Sequence, residues 1–117
     1  MSDVLTMLEA WGCDIPAALS RCLGDKEFYL TWISAFVTDP DFEKLDFAIS
    51  SKDYTAAFEA AHRLKGSSGT LGLTPLYRAV CAVVEGLRNG PTETLNDDYH
   101  AMQLVYRHFT EIMRLEQ

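Results

Sequence analysis

The chain is 117 residues long, enough for one domain with a single modest core. Its residues are 48% apolar and 23% charged, ordinary for a soluble globular protein, and no run approaches the roughly 20 apolar residues that span a bilayer. A formal charge of −7 argues against nucleic-acid binding, which relies on Lys and Arg to neutralise phosphates.

The start, Met1-Ser2-Asp3-Val4, lacks the basic flank and apolar stretch of a signal peptide, which favours the cytoplasm. Whether the chain stands alone or is excised from a larger protein stays open. Asp3 is placed to cap a short helix carrying Val4, Leu5 and Leu8, which fades at Trp11-Gly12. Ile15, Ala18, Leu19, Cys22 and Leu23 then follow helical spacing up to Gly24. Asp25 opens a segment with Leu30, Ile33, Phe36 and Val37 on one stripe. Thr38-Asp39-Pro40 breaks and restarts the chain, because Pro at a first helical position lacks an N–H that has no partner anyway. Phe42, Leu45 and Ile49 form the next stripe, stopped by Ser50-Ser51.

A helix-prone, Ala-rich segment runs from Asp53 to about Thr70. Thr74-Pro75 reads as a cap and first-turn pair, followed by Leu76, Ala79, Val80, Val83, Val84 and Leu87 in unbroken rhythm. Asn89-Gly90-Pro91 ends that helix. In the last segment Leu95, Tyr99, Met102, Tyr106, Phe109 and Met113 alternate spacings of four and three, the seam of a long bundle helix. No alternating strand pattern competes. The expected fold is all-α: an antiparallel four-helix bundle over about residues 25–117, with short helices over about 1–24, in one domain of residues 1–117. Cys13, Cys22 and Cys81 are odd in number, far apart and without a C-x-x-C pair, so they read as small core or near-core thiols in a reducing compartment.

The stretch that carries chemistry is Ala61-His62-Arg63-Leu64-Lys65-Gly66-Ser67-Ser68-Gly69-Thr70-Leu71-Gly72. A helix turns about 100° per residue, which puts Ala57, Ala60, Leu64 and Leu71 within about 40° of the side opposite His62. These apolar positions form the buried stripe, so His62 points outward. Lys65 and Gly66 lie one turn ahead on the same face and Gly69 two turns ahead. Glycine inside a helix costs roughly 1 kcal/mol relative to alanine, and core packing is not expected to explain these two. Bare backbone there lets another macromolecule approach the imidazole. Phe58, one turn behind, either adds an apolar contact or packs under the N-terminal helix. Neutral imidazole has a free lone pair near neutral pH and is an available nucleophile. A phosphoryl group on it would carry close to two negative charges, and Lys65 is placed to offset them for about 0.2–1 kcal/mol. Ser67 and Ser68 turn toward the core sides and are expected to bond backbone carbonyls.

His62-Arg63-Leu64-Lys65-Gly66-Ser67-Ser68, followed by Leu71-Gly72, resembles the signature of histidine-containing phosphotransfer (HPt) domains of bacterial multistep two-component phosphorelays. The resemblance extends over nearly the whole chain: Arg21-Cys22-Leu23-Gly24-Asp25 before Phe28-Tyr29 is similar to the family's N-terminal helix junction, Ser51-Lys52-Asp53-Tyr54 to the entry of its histidine helix, and Leu76 to Leu87 to the partner helix. It implies that His62 is the phosphoryl acceptor, that Lys65 stabilises the phosphate and that Gly66 admits a receiver domain. It implies partners in response-regulator receivers or a hybrid sensor histidine kinase. The chain would be a phosphocarrier and not an enzyme, without a cofactor of its own, Mg2+ being expected only on the receiver. A monomer is expected, with no nucleic acid and no membrane. Gly69, Phe58, Glu59, Arg63 and Tyr54 flank the site and are expected to shape partner choice. Several members place a Gln on the neighbouring helix; Val83-Val84-Glu85-Gly86 has none, so that role is assigned to no residue here.

Competing readings are weaker. Gly66, Gly69 and Gly72 follow no strand and lack G-x-x-x-x-G-K-[ST], against a nucleotide loop. His62, His100 and His108 lack metal spacing, and the latter two lie off the apolar seam, which suits solvated surface. A dimerising kinase domain would need an ATP-binding domain that the chain has no room for. The remaining alternative is an interaction-only bundle with an unphosphorylated histidine.

Overall fold

The computed structural model describes the backbone of residues 3–116, and the helices among them bear out the all-α class. In chain order they are α1 (Asp3–Trp11), α2 (Ile15–Arg21), α3 (Lys26–Val37), α4 (Pro40–Ser50), α5 (Tyr54–Thr70), α6 (Thr74–Leu87) and α7 (Leu95–Met113), ending in a 3-10 turn at Arg114–Glu116. The cap expected of the Asp3 side chain lies outside the described residues.

Four aspartates start four helices. Asp14 accepts from the Ala17 N–H at 3.2 Å, Asp25 from Phe28 at 3.0 Å, Asp39 from Asp41 at 2.8 Å and Asp53 from Ala56 at 3.2 Å. Each satisfies a donor that the helix itself leaves unpaired and opposes the positive end of the helix dipole.

Two local expectations are corrected. Thr74 is the first residue of α6, and the position before it is Leu73, fully buried and without a side-chain cap. Burial of that leucine outweighs a capping bond, and Pro75 in the first turn removes one donor in need of a partner. Leu23 leaves the α2 stripe altogether: it has φ of +54° and is 96% exposed. The chain must reverse between Arg21 and Lys26, and Leu23 with Gly24 takes the left-handed turn instead of a core position.

The α4–α5, α5–α6 and α6–α7 pairs pack side by side, and side chains of α7 return to α4. Tyr99 donates to Asp46 at 2.7 Å, and Tyr106 stacks on Phe42 with centroids 4.0 Å apart. Between these helices lie Leu45, Leu64, Leu76, Val80, Val83 and Phe109, all fully buried. Opposite ends of α5 meet opposite ends of α6, Phe58 near Arg88 and Gly69 near Tyr77, so these two run in opposite directions.

The N-terminal helices are fastened to the far end of α5. Tyr29, fully buried, donates from its hydroxyl to the Leu71 carbonyl at 2.7 Å. The Asp14 N–H donates to the Gly72 carbonyl at 2.8 Å. Gly72 has φ of +71°, and a Cβ there would stand 2.5 Å from the Asp14 carbonyl oxygen, so only glycine fits this crossing.

Candidate functional site

On α5 the predicted division of faces holds. Ala57, Ala60, Leu64 and Leu71 are at most 1% exposed, while His62 is exposed on the opposite side. The reason is the period of the helix: residues spaced three and four apart face α4 and α6, and the histidine falls between their edges. Ser68 turns inward as expected and donates to the Leu64 carbonyl at 2.7 Å. Ser67 is half-buried.

His62 opens into a shallow depression of about 390 Å³. From α5 it is lined by His62, Lys65, Gly66, Gly69 and Thr70, from α2 by Arg21, and from α6 by Tyr77. Lys65 is half-buried and shares the wall of the depression with the imidazole, on the same side of the helix. At Gly66 an added Cβ would meet nothing within 4 Å, which leaves bare backbone beside the histidine. Gly69 has a different cause. The Tyr77 ring lies 3.1 Å from where its Cβ would be, so this glycine accommodates a packed aromatic, correcting the expectation that packing plays no part.

The remaining flanking residues divide into two groups. The Phe58 ring is half-buried with its centroid 5.8 Å from that of His62, and the Arg88 guanidinium lies over the same ring, 5.6 Å from its centre. Arg88 also pairs with Glu85 at 2.9 Å. That hydrogen bond, with the nearby Lys65 charge adding less, holds the Glu85 carboxyl below its ordinary range. On the other edge Arg63 makes a bidentate pair with Asp41 of α4 at 2.9–3.1 Å. The bond to Asp41 raises the Arg63 guanidinium still further above its ordinary range. Glu59 is exposed and Tyr54 half-buried at the start of the helix.

Sequence reasoning misses Arg21 and Tyr77. Arg21 donates to the Gly69 carbonyl at 3.2 Å and the Thr70 carbonyl at 2.6 Å, the last carbonyls of α5. Both lie in the final turn, beyond the reach of the helix's own i+4 bonds, the Gly69 carbonyl also accepting from the Gly72 N–H at 3.1 Å, and a cation there meets the negative end of the helix dipole. No spacing signals this, since 48 residues separate Arg21 from Gly69. Tyr77 does leave a signal: a large aromatic placed off the apolar stripe of α6.

His100 and His108 are exposed on α7, the latter 5.0 Å from the Trp11 ring. Among the described residues no group of three or more His, Cys, Asp or Glu is placed to hold a metal ion. Cys13 and Cys22 are buried and Cys81 is half-buried, all as free thiols.

Chemically, the depression presents an accessible imidazole, a cation one turn ahead and backbone that a second macromolecule can approach. A family model described as Hpt domain matches residues 38–110, from the residue after α3 to the last turn of α7. This is narrower than the resemblance read from the motifs, since α1, α2 and α3 all fall outside it. No curated protein and no solved structure matches the chain.

Proposed function

The chain belongs to the Hpt domain family, and on that premise we propose that it carries a phosphoryl group on His62, exchanging it with receiver-domain aspartates in a two-component phosphorelay. The family itself implies phosphotransfer signalling by a phosphocarrier and not by a self-sufficient enzyme. In this reading α4 to α7 are the antiparallel four-helix bundle and α1 to α3 its accessory helices, in a single domain. The partners are response-regulator receivers, a hybrid sensor histidine kinase or both. The relay is placed in the cytoplasm; no helix among the described residues is long and apolar enough to cross a membrane.

The observation that carries the reading is the outward His62 beside Lys65 and the open Gly66. An imidazole nitrogen supplies the electron pair for a new N–P bond as the O–P bond to the receiver's aspartate breaks and its carboxylate leaves. The reverse step returns the group. Lys65 offsets the negative charge that arrives, and Gly66 leaves room for the receiver's own loops and its divalent cation. Rate acceleration then comes mainly from the receiver.

The test is incubation with a phosphorylated receiver, then mass spectrometry for an acid-labile, base-stable phosphate. The label is expected on His62, and His62→Gln should abolish it with the helical signal and thermal midpoint unchanged. A folded chain that takes no phosphate from a panel of active receivers would instead leave an interaction-only bundle.

A further inference from the structure

Two contacts fix how α6 lies along α5. Gly69 meets Tyr77 and Phe58 meets Arg88, and both contacts belong to one antiparallel register in which each step forward on α5 is a step back on α6. His62 falls between them, and the matching residues of α6 are Val84 and Glu85. Val84 is buried and fills the interface, which leaves Glu85 exposed on α6 between Arg88 and Tyr77, the α6 residue that lines the depression itself. Its carboxylate is gripped by Arg88 at 2.9 Å, and that bond, with a smaller contribution from the Lys65 charge, holds it below the ordinary carboxyl range. Arg88 in turn rests on the Phe58 ring, the ring next to His62. An anion and a cation are thus held one aromatic ring away from His62, outside the lining of its depression, by contacts that run back to the histidine helix.

We propose that the Glu85–Arg88 pair sets the charge state of a phosphoryl group on His62, the carboxylate opposing the dianion and the guanidinium screening that opposition. The inference rests on His62 being the phosphorylated residue and adds a regulation of that site. Without Arg88, Glu85 would face the phosphoryl group unscreened and also compete with it for Lys65. Without Glu85, Lys65 and Arg88 would both be free to stabilise the dianion, and the group would be held more firmly than a carrier needs. The pair keeps the phosphoryl group between these limits, bound but ready to leave. The other charged or titratable groups around it are Lys65 and Glu59 of α5, Arg21 of α2 and, from α6, the Tyr77 hydroxyl with the neighbouring Cys81 thiol; Arg63 is already engaged by Asp41 on the α4 side.

The experiment uses the whole chain, phosphorylated on His62 with the small-molecule donor phosphoramidate. An imidazole nitrogen forms the new N–P bond while the donor's N–P bond breaks and ammonia leaves with a proton. Titration followed by 31P NMR then reads the second ionisation of the bound phosphoryl group directly. Glu85→Gln should lower that ionisation, and Arg88→Ala should raise it, each by about 0.2–0.7 pH unit, the size expected for one exposed charge. Arg88→Lys should titrate like the parent chain. At about 1 M salt, where screening acts within about 3 Å, both shifts should collapse. A purely structural role for the pair would give no such opposed, salt-sensitive displacement. If phosphate forms on His62 but the Glu85→Gln and Arg88→Ala chains titrate with the parent, the inference is overturned and the carrier reading stands. If no phosphate reaches His62 in any chain, the carrier reading fails and takes this inference with it.

Discussion

Gly66 and Gly69 are chemically identical and three residues apart, yet their surroundings differ in a way that substitution can read. Open space surrounds Gly66, while the Tyr77 ring crowds Gly69. Alanine at Gly66 removes backbone freedom from the unfolded chain and clashes with nothing, so Gly66→Ala should stabilise by about 0.5–1 kcal/mol in urea titration. At Gly69 the ring must shift by a few tenths of an ångström, and the same gain should be reduced or lost. A bulky change such as Gly66→Trp should leave the thermal midpoint near that of the parent while slowing phosphoryl exchange with a receiver. Cooperative unfolding in that variant would contradict the open placement of the Gly66 face.

Among the helices, punctuation is the legible part. Asp25, Asp39 and Asp53 mark helix starts in the sequence and accept the expected N–H bonds, because capping is settled within a few residues of chain. The outward His62 is legible for the same reason, since one helix's period decides which side its apolar residues bury. Thr74 misleads because a residue's preference to cap loses to the burial of Leu73, which only the neighbouring elements determine. Leu23 misleads because spacing records apolar residues but not where a chain reverses. Arg21 and Tyr29 are invisible as fasteners, their partners being 42 residues away or more. Tyr29 lends itself to a test at this scale. Tyr29→Phe keeps the ring but strands the buried Leu71 carbonyl, and should cost about 1–3 kcal/mol by urea titration. A loss near zero would mean that this bond does not tie α3 to the end of α5.

The molecule as a whole should be sensitive to alkali. Burial pushes the Cys13 thiol up to about 12, and burial raises the Tyr29 hydroxyl, with the Cys13 and Cys22 thiols beside it adding to the effect. Burial and the bond to Asp46 raise Tyr99 in the same direction. Each group holds its proton more tightly in the folded chain than in the unfolded one. Stability from these groups is therefore complete below the ordinary thiol value of 9.0 and drains away as pH rises from there toward 12. Thermal midpoints measured at steps across that range should fall progressively, and a flat profile would contradict the burial of these three side chains.

Because the depression around His62 is shallow and the ring itself is exposed, water reaches the nitrogen that would carry the phosphoryl group as easily as a protein does. Nothing among the described residues around it works as a lid. A phosphoryl group carried there, as proposed, would be perishable, and the domain would then be a clock as much as a courier: a receiver would have to arrive before solvent erased what it came to collect.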